Sequence, residues 1–238
     1  MTGYNVSADA GPSAAPGWTL TVDITTDVSL LNAANRSNLD IEATTLSIEP
    51  PQGKVTLDSS WKICAVVFTG LANDTSPSTT IDGTCSNVLP SGCIQGIESG
   101  SSGMDDSGNC TTYTLPSACT SYFPAGSVNN SAFAINQSIL DAKRFYAYGS
   151  PSTQTSNTTA YQEAIENVWP VITLFSHLSA SGTTASLNTA IQCLRASNGT
   201  TTAPSNPVSG AARSCISDLL PSPGLSFVAT IAALYFAL

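Results

Sequence analysis

Residues 18–24, Trp-Thr-Leu-Thr-Val-Asp-Ile, alternate apolar and polar side chains. That is the period of a strand with one face in a core and the other in water. The same pattern predicts strands over 39–48, 54–57 and 61–68, with Pro50-Pro51-Gln52-Gly53 turning the chain between two of them. The run 61–68, WKICAVVF, is apolar without alternation and rich in β-branched and aromatic residues, which marks a central strand. Strand patterns return at 133–140, 144–148, 171–175 and 190–195, with a short helix over 161–167 that starts near Thr158 or Thr159 and stops before Pro170. Between them, residues 70–128 hold four cysteines among Gly, Ser and Pro, with little periodicity, and are expected to form long stapled loops. About eight short strands and one brief helix imply an all-β, disulfide-stapled β-sandwich spanning 1–196.

Composition narrows the class. The chain has 238 residues, 34 of them Ser and 29 Thr, and only 10% are charged, against about 25% in an ordinary domain. Seven basic and sixteen acidic residues give a net charge of −9. Lys54, Lys62 and Lys143 are scattered, so the basic cluster that a phosphate backbone needs is missing and nucleic acid is excluded as a partner.

Eight acceptor patterns for N-glycosylation begin at Asn5, Asn35, Asn73, Asn109, Asn129, Asn136, Asn157 and Asn198. The cysteines Cys64, Cys85, Cys93, Cys110, Cys119, Cys193 and Cys215 make no CxxC, and a single histidine makes a zinc site a poor fit, so disulfides in an oxidising compartment are expected. Six of the seven admit fifteen connectivities; the favoured one pairs Cys64 with Cys193 and keeps Cys85, Cys93, Cys110 and Cys119 among themselves.

Both ends carry signals. Residues 197–210 hold six hydroxyls, two prolines and no charge, the composition of an extended, O-glycosylated stalk. Residues 225–238 are apolar and uncharged; as a helix they reach about 21 Å, short of the roughly 30 Å of a bilayer core. Preceded by the small triplet Gly210-Ala211-Ala212 and a polar spacer, they fit a signal for a glycosylphosphatidylinositol anchor on Gly210. Residues 211–238 would then be a propeptide, and its removal takes Cys215 and leaves an even six. The alternative is a buried terminal element with Cys215 bonded to Cys193. Residues 1–17 have neither a basic start nor an apolar run, so a leader is expected upstream of Met1.

Candidate chemistry is sparse. His177 is the lone histidine, and no G-x-S-x-G elbow exists for it to serve. Glu163 and Glu166 share a helical face, where neighbouring carboxylates ordinarily meet solvent rather than flank a sugar. Asp105 and Asp106 offer oxygen ligands but lack the spacing of a calcium loop. Trp18, Trp61 and Trp169 lie in apolar patterns and are expected in the core, leaving Tyr113, Tyr122 and Tyr161 as open candidates for stacking on sugars. No catalytic residue, metal site or cofactor is expected.

Together, the WTLTVDI strand, WKICAVVF, VWPVITLF, QCLRA, the stalk and the tail resemble those of secreted, glycosylphosphatidylinositol-anchored surface glycoproteins of filamentous fungi. The resemblance implies a place on the outer face of the plasma membrane or in the cell wall, membrane contact through the lipid alone, and an adhesive or structural role. Cell-wall polysaccharide is the partner to expect. A carbohydrate-binding module is the alternative, and a secreted glycoside hydrolase or transglycosylase a more distant one.

Overall fold

Alternation along the chain becomes two antiparallel sheets. The computed structural model describes residues 1–4, 6, 14–29, 39–51, 55–69, 71, 83–100, 102–123, 130–150, 153, 154 and 158–196. Thr2–Tyr4 (β1) and Ala14–Pro16 (β2) form a small pair. Thr19–Ser29 (β3), Leu39–Glu49 (β4) and Arg144–Gly149 (β7) form one sheet in the order β3-β4-β7, with Thr153–Gln154 (β8) also on β4. Trp61–Val67 (β5), Ser131–Ala134 (β6), Trp169–Leu178 (β9) and Thr184–Leu194 (β10) form the other, ordered β10-β9-β5-β6. Three short helices complete the fold: Ser91–Glu98 (α1), Gln137–Ala142 (α2) and Thr158–Glu166 (α3). The protein is a disulfide-stabilised all-β fold. Among the described residues, no helix is long and apolar enough to cross a membrane.

The inner strands of the β10-β9-β5-β6 sheet, β5 and β9, are buried on both faces. Trp61, Ile63, Ala65, Val67, Val171 and Phe175 meet Leu20, Leu46, Ile48 and Phe145 of the opposing sheet. On the reverse face, Cys64, Val66, Ile172, Leu174, Ile191 and Cys193 pack under residues of 85–123, including Leu89, Ile97, Tyr113 and Phe123. Odd and even positions of β5 thus serve different cores, which is why WKICAVVF shows no polar alternation. Pro170 is tolerated near the start of β9, where its carbonyl still accepts from Phe68 N–H at 3.1 Å.

Three expectations need correction. Residues 133–140 are not one strand. The ladder ends where Ile135 N–H donates to Ile63 O (2.8 Å), and Asn136 then caps α2 by accepting from Ile139 N–H (3.0 Å). A capping amide at that position outweighs the strand propensity of its neighbours. Residues 55–57 form no strand, and Lys54 lies outside the described residues. The Gln137 side chain stands in for the missing strand, accepting from Leu57 N–H (2.7 Å) and donating to Val55 O (3.0 Å).

The third correction is the connectivity. The bonds are Cys64–Cys110, Cys85–Cys193 and Cys93–Cys119. Cys193 therefore bonds Cys85, not Cys64, and only Cys93–Cys119 is internal to the cysteine-rich segment. That segment lies flat on the sheet, so the cysteines of β5 and β10 that face it are taken by the nearest thiols above them. The segment is also less loop-like than its composition suggests, since it contains α1 and a 3-10 turn at Ser117–Cys119.

Loop-closure entropy grows with the span of a bond. Replacing both Cys85 and Cys193 by Ala, a separation of 108, should cost roughly 4–5 kcal/mol. The same change at Cys93 and Cys119, separated by 26, should cost about 3.5 kcal/mol. Guanidinium unfolding of the two variants checks the order, and a reversed order would refute the entropic account.

Candidate functional site

The cysteine-rich layer is the part of the molecule with the most individual structure. α1 places Cys93 and Ile97 on its buried side. Tyr113 is buried beneath, its hydroxyl donating to Ile97 O at 3.1 Å, and burial pushes its phenol above the ordinary range. Asn130 clamps the same residue through its backbone, accepting from Tyr113 N–H (2.8 Å) and donating to Tyr113 O (2.9 Å). A side-chain amide here imitates a strand neighbour and satisfies two buried groups at once. Thr189 of β10 adds a hydroxyl bond to Gly100 O (3.2 Å).

This layer includes a hairpin closed by the Met104–Cys110 bridge, whose turn packs against Lys62 and Leu178 at Gly108. Asp105 organises its tip. One carboxylate oxygen accepts from Ser107 N–H (2.9 Å) and Asn109 N–H (2.8 Å), and the other from Asn109 Nδ2 (2.8 Å). Gly108 allows the turn, with φ of 80°, a backbone that side-chain-bearing residues resist. The Asn109 amide holds the Asp105 carboxyl below the usual carboxylate range. Both of its oxygens thus serve as turn acceptors, which is a structural use rather than cation ligation.

Other sequence candidates are dispersed. His177 stacks edge-on against Trp61, ring centroids 4.9 Å apart, as part of the packing around β5. Glu163 and Glu166 are both exposed on α3. Trp18, Trp61 and Trp169 are at most 3% exposed, and so are core residues. Tyr113 is buried, while Tyr122 and Tyr161 are half-buried. Among the described residues, no group of three His, Cys, Asp or Glu side chains could hold a metal ion. Of the acceptor asparagines, Asn109 and Asn136 are exposed. Asn5, Asn35, Asn73, Asn129, Asn157, Asn198, Gly210, the stalk and the tail lie outside the described residues.

One aromatic group escaped the sequence reading. Tyr146 and Tyr148 share a face of β7 and meet Trp169, with centroids 6.1 and 5.5 Å away, while Phe133 lies 5.5 Å from Tyr146. Tyr148 is the exposed large hydrophobic among the described residues, at 40%. Trp169 is buried, and among the described residues its indole N–H has no acceptor. Burial raises the Tyr146 phenol above its usual range, with Tyr148 adding to the shift. The alternation in Arg-Phe-Tyr-Ala-Tyr-Gly put both tyrosines on one face, but only the fold brings that face to Trp169.

No known protein family, curated protein or solved structure matches the chain.

Because the folded Asp105 pKa is depressed, its support of the hairpin is complete above the unfolded carboxylate pKa and fades as pH falls through the folded value. An NMR titration should show the Asn109 side-chain amide shifting with a midpoint below the ordinary carboxylate range. A midpoint at or above that range would remove Asp105 from this role.

Proposed function

We propose that this chain is a surface or cell-wall glycoprotein with an adhesive or structural role, held to the outer leaflet through a lipid anchor on Gly210. The observation that carries the reading is the pairing of all six described cysteines into three disulfides, two of which weld the 85–123 layer to the central sheet. Such a set is kept in oxidising compartments and is rare where thiols are held reduced. Six paired cysteines are also the set expected once a propeptide carrying Cys215 is removed, and Cys193, the alternative partner of Cys215, is taken by Cys85. The exposure of Asn136, whose Nδ2 makes no hydrogen bond among the described residues, is compatible with a glycan at that position. An adhesive or structural role agrees with where the candidate side chains lie: His177 in packing, Glu163 and Glu166 exposed on α3, Asp105 in a turn, and the described cysteines in disulfides.

Mass spectrometry of the C-terminal peptide, after expression from the gene's own upstream sequence in a filamentous fungus, tests the reading. The expected peptide ends at or near Gly210 and carries ethanolamine. Cys215→Ser should then leave the mature protein's unfolding midpoint unchanged. An unmodified peptide containing Cys215 and the apolar tail would overturn the anchored form.

Tyr148 favours a second reading, a carbohydrate-binding module. Its exposed ring lies over Trp169, and the unpaired indole N–H there costs about 1–3 kcal/mol, which a sugar hydroxyl reaching past Tyr148 would relieve. Tyr148→Ala should abolish retention on an insoluble wall polysaccharide without shifting the melting temperature. Undiminished retention, or none by the parent protein, would dismiss the module.

A further inference from the structure

Asn109 and Asn136 are both exposed acceptors, yet the fold holds their amides differently. In the sequon 109–111, every residue is pinned. Asn109 is bonded twice to Asp105, Cys110 is bonded covalently to Cys64 of β5, and Thr111 N–H donates to Gly103 O at 3.0 Å. At Asn136 only Oδ1 is engaged, by Ile139 N–H, so the Nδ2 that would carry a glycan makes no hydrogen bond among the described residues.

The geometry points to competition at the first of these sites: closure of Cys64–Cys110 shuts Asn109 to glycosylation, making it the under-occupied acceptor, while Asn136 is filled. The inference rests on the surface-glycoprotein reading and adds to it which acceptors are used and what decides their use.

The two reactions draw on the same short stretch of chain. Glycan transfer forms a bond from Asn109 Nδ2 to the anomeric carbon of a lipid diphosphate-linked oligosaccharide. The bond from that carbon to the diphosphate breaks, the lipid diphosphate leaves, and one amide proton is released. Disulfide closure takes two protons and two electrons from Cys64 and Cys110 and passes them to a protein disulfide, which becomes a dithiol. Transfer needs a sequon free to rotate its amide into another protein's active site. Closure denies this, because it anchors Cys110 to the central strand and sets the hairpin in which Asp105 holds both nitrogens of Asn109. Cys64 precedes Cys110 by 46 residues, so both thiols are present before β6, β7, β9 or β10 exists. The cap at Asn136 needs α2, which is tied to 55–57 through Gln137 and packs beside the later β7. That asparagine stays accessible longer, and a glycan on its Nδ2 leaves the capping oxygen untouched.

Site-resolved glycopeptide mass spectrometry of the full chain, expressed behind a secretory leader and sampled inside the cell, tests this without requiring a folded product. Cys64→Ser keeps the sequon intact and removes the bond. Occupancy at Asn109 should rise about twofold or more as disulfide closure is lost, with Asn136 unchanged. Asp105→Ala, which leaves the cysteines alone, should raise it by a smaller factor. Equal occupancy at Asn109 in the parent and in Cys64→Ser overturns the competition. A parallel expression from the gene's own upstream sequence separates the two ideas: no glycan at either asparagine there overturns the surface-glycoprotein reading, while the leader-driven pair still decides the competition.

Discussion

Everything in this fold is organised by two inner strands that have no wet face. β5 and β9 run side by side through the middle of the molecule, and almost every side chain on them is buried. Each fully buried Val, Ile, Leu or Phe contributes about 1.5–3 kcal/mol, but only if something covers it. One face is covered by an ordinary partner, the β3-β4-β7 sheet. The other is covered by a segment that contains no strand of its own sheet, only a two-turn helix, a 3-10 turn and irregular chain. Such a cover has few ladder hydrogen bonds to hold it. Two disulfides, the Asn130 clamp and the Thr189 hydroxyl supply the attachment instead.

This arrangement also explains how so weakly charged a chain keeps a defined interior. Buried polar groups are matched locally: Asn130 to the Tyr113 backbone, Tyr113 to Ile97, Thr173 to Ala190. On the outside of the β3-β4-β7 sheet, Thr19, Thr21, Asp23 and Thr25 of β3 are exposed, so hydroxyls do much of the work that charges do elsewhere. The ion pair between Lys143 and Glu49 spans 3.2 Å at the surface, where such contacts contribute little.

Most of the strands were legible because a half-buried or fully buried strand writes its burial into the sequence. Residues 39–48 and 61–68 became β4 and β5 nearly as read, 18–24 gave the first half of a β3 that runs on to Ser29, and 144–148 and 171–175 fell within β7 and β9. What failed depended on side chains acting as backbone. Asn136 and Gln137 rewrote the stretch from 133 to 140, and Gln137 also occupied the edge that 55–57 would have paired with. The disulfide connectivity failed for a different reason. Pairing the two strand-borne cysteines with each other treats the insert as separate from the sheet, but the insert folds across it, so Cys64 and Cys193 each bond a cysteine of the insert, Cys110 and Cys85. The Tyr148 and Trp169 contact was likewise invisible, since it joins opposite sheets.

The span of Cys85–Cys193 has a mechanical consequence. Tension applied at the two ends of the chain crosses at that bond, bypassing 108 positions of sequence. Strands β6 to β9 and β10 up to Cys193, together with the three helices of the described residues, lie inside the short circuit and cannot be drawn out by peeling. Extension must come from outside it, from β1 to β5 and the chain after Cys193. Under pull, β3 and β4 would be drawn off while β7, the third strand of their sheet, stays inside the closed loop, and β5, at the centre of the other sheet, is caught at Cys64 by its bond to Cys110.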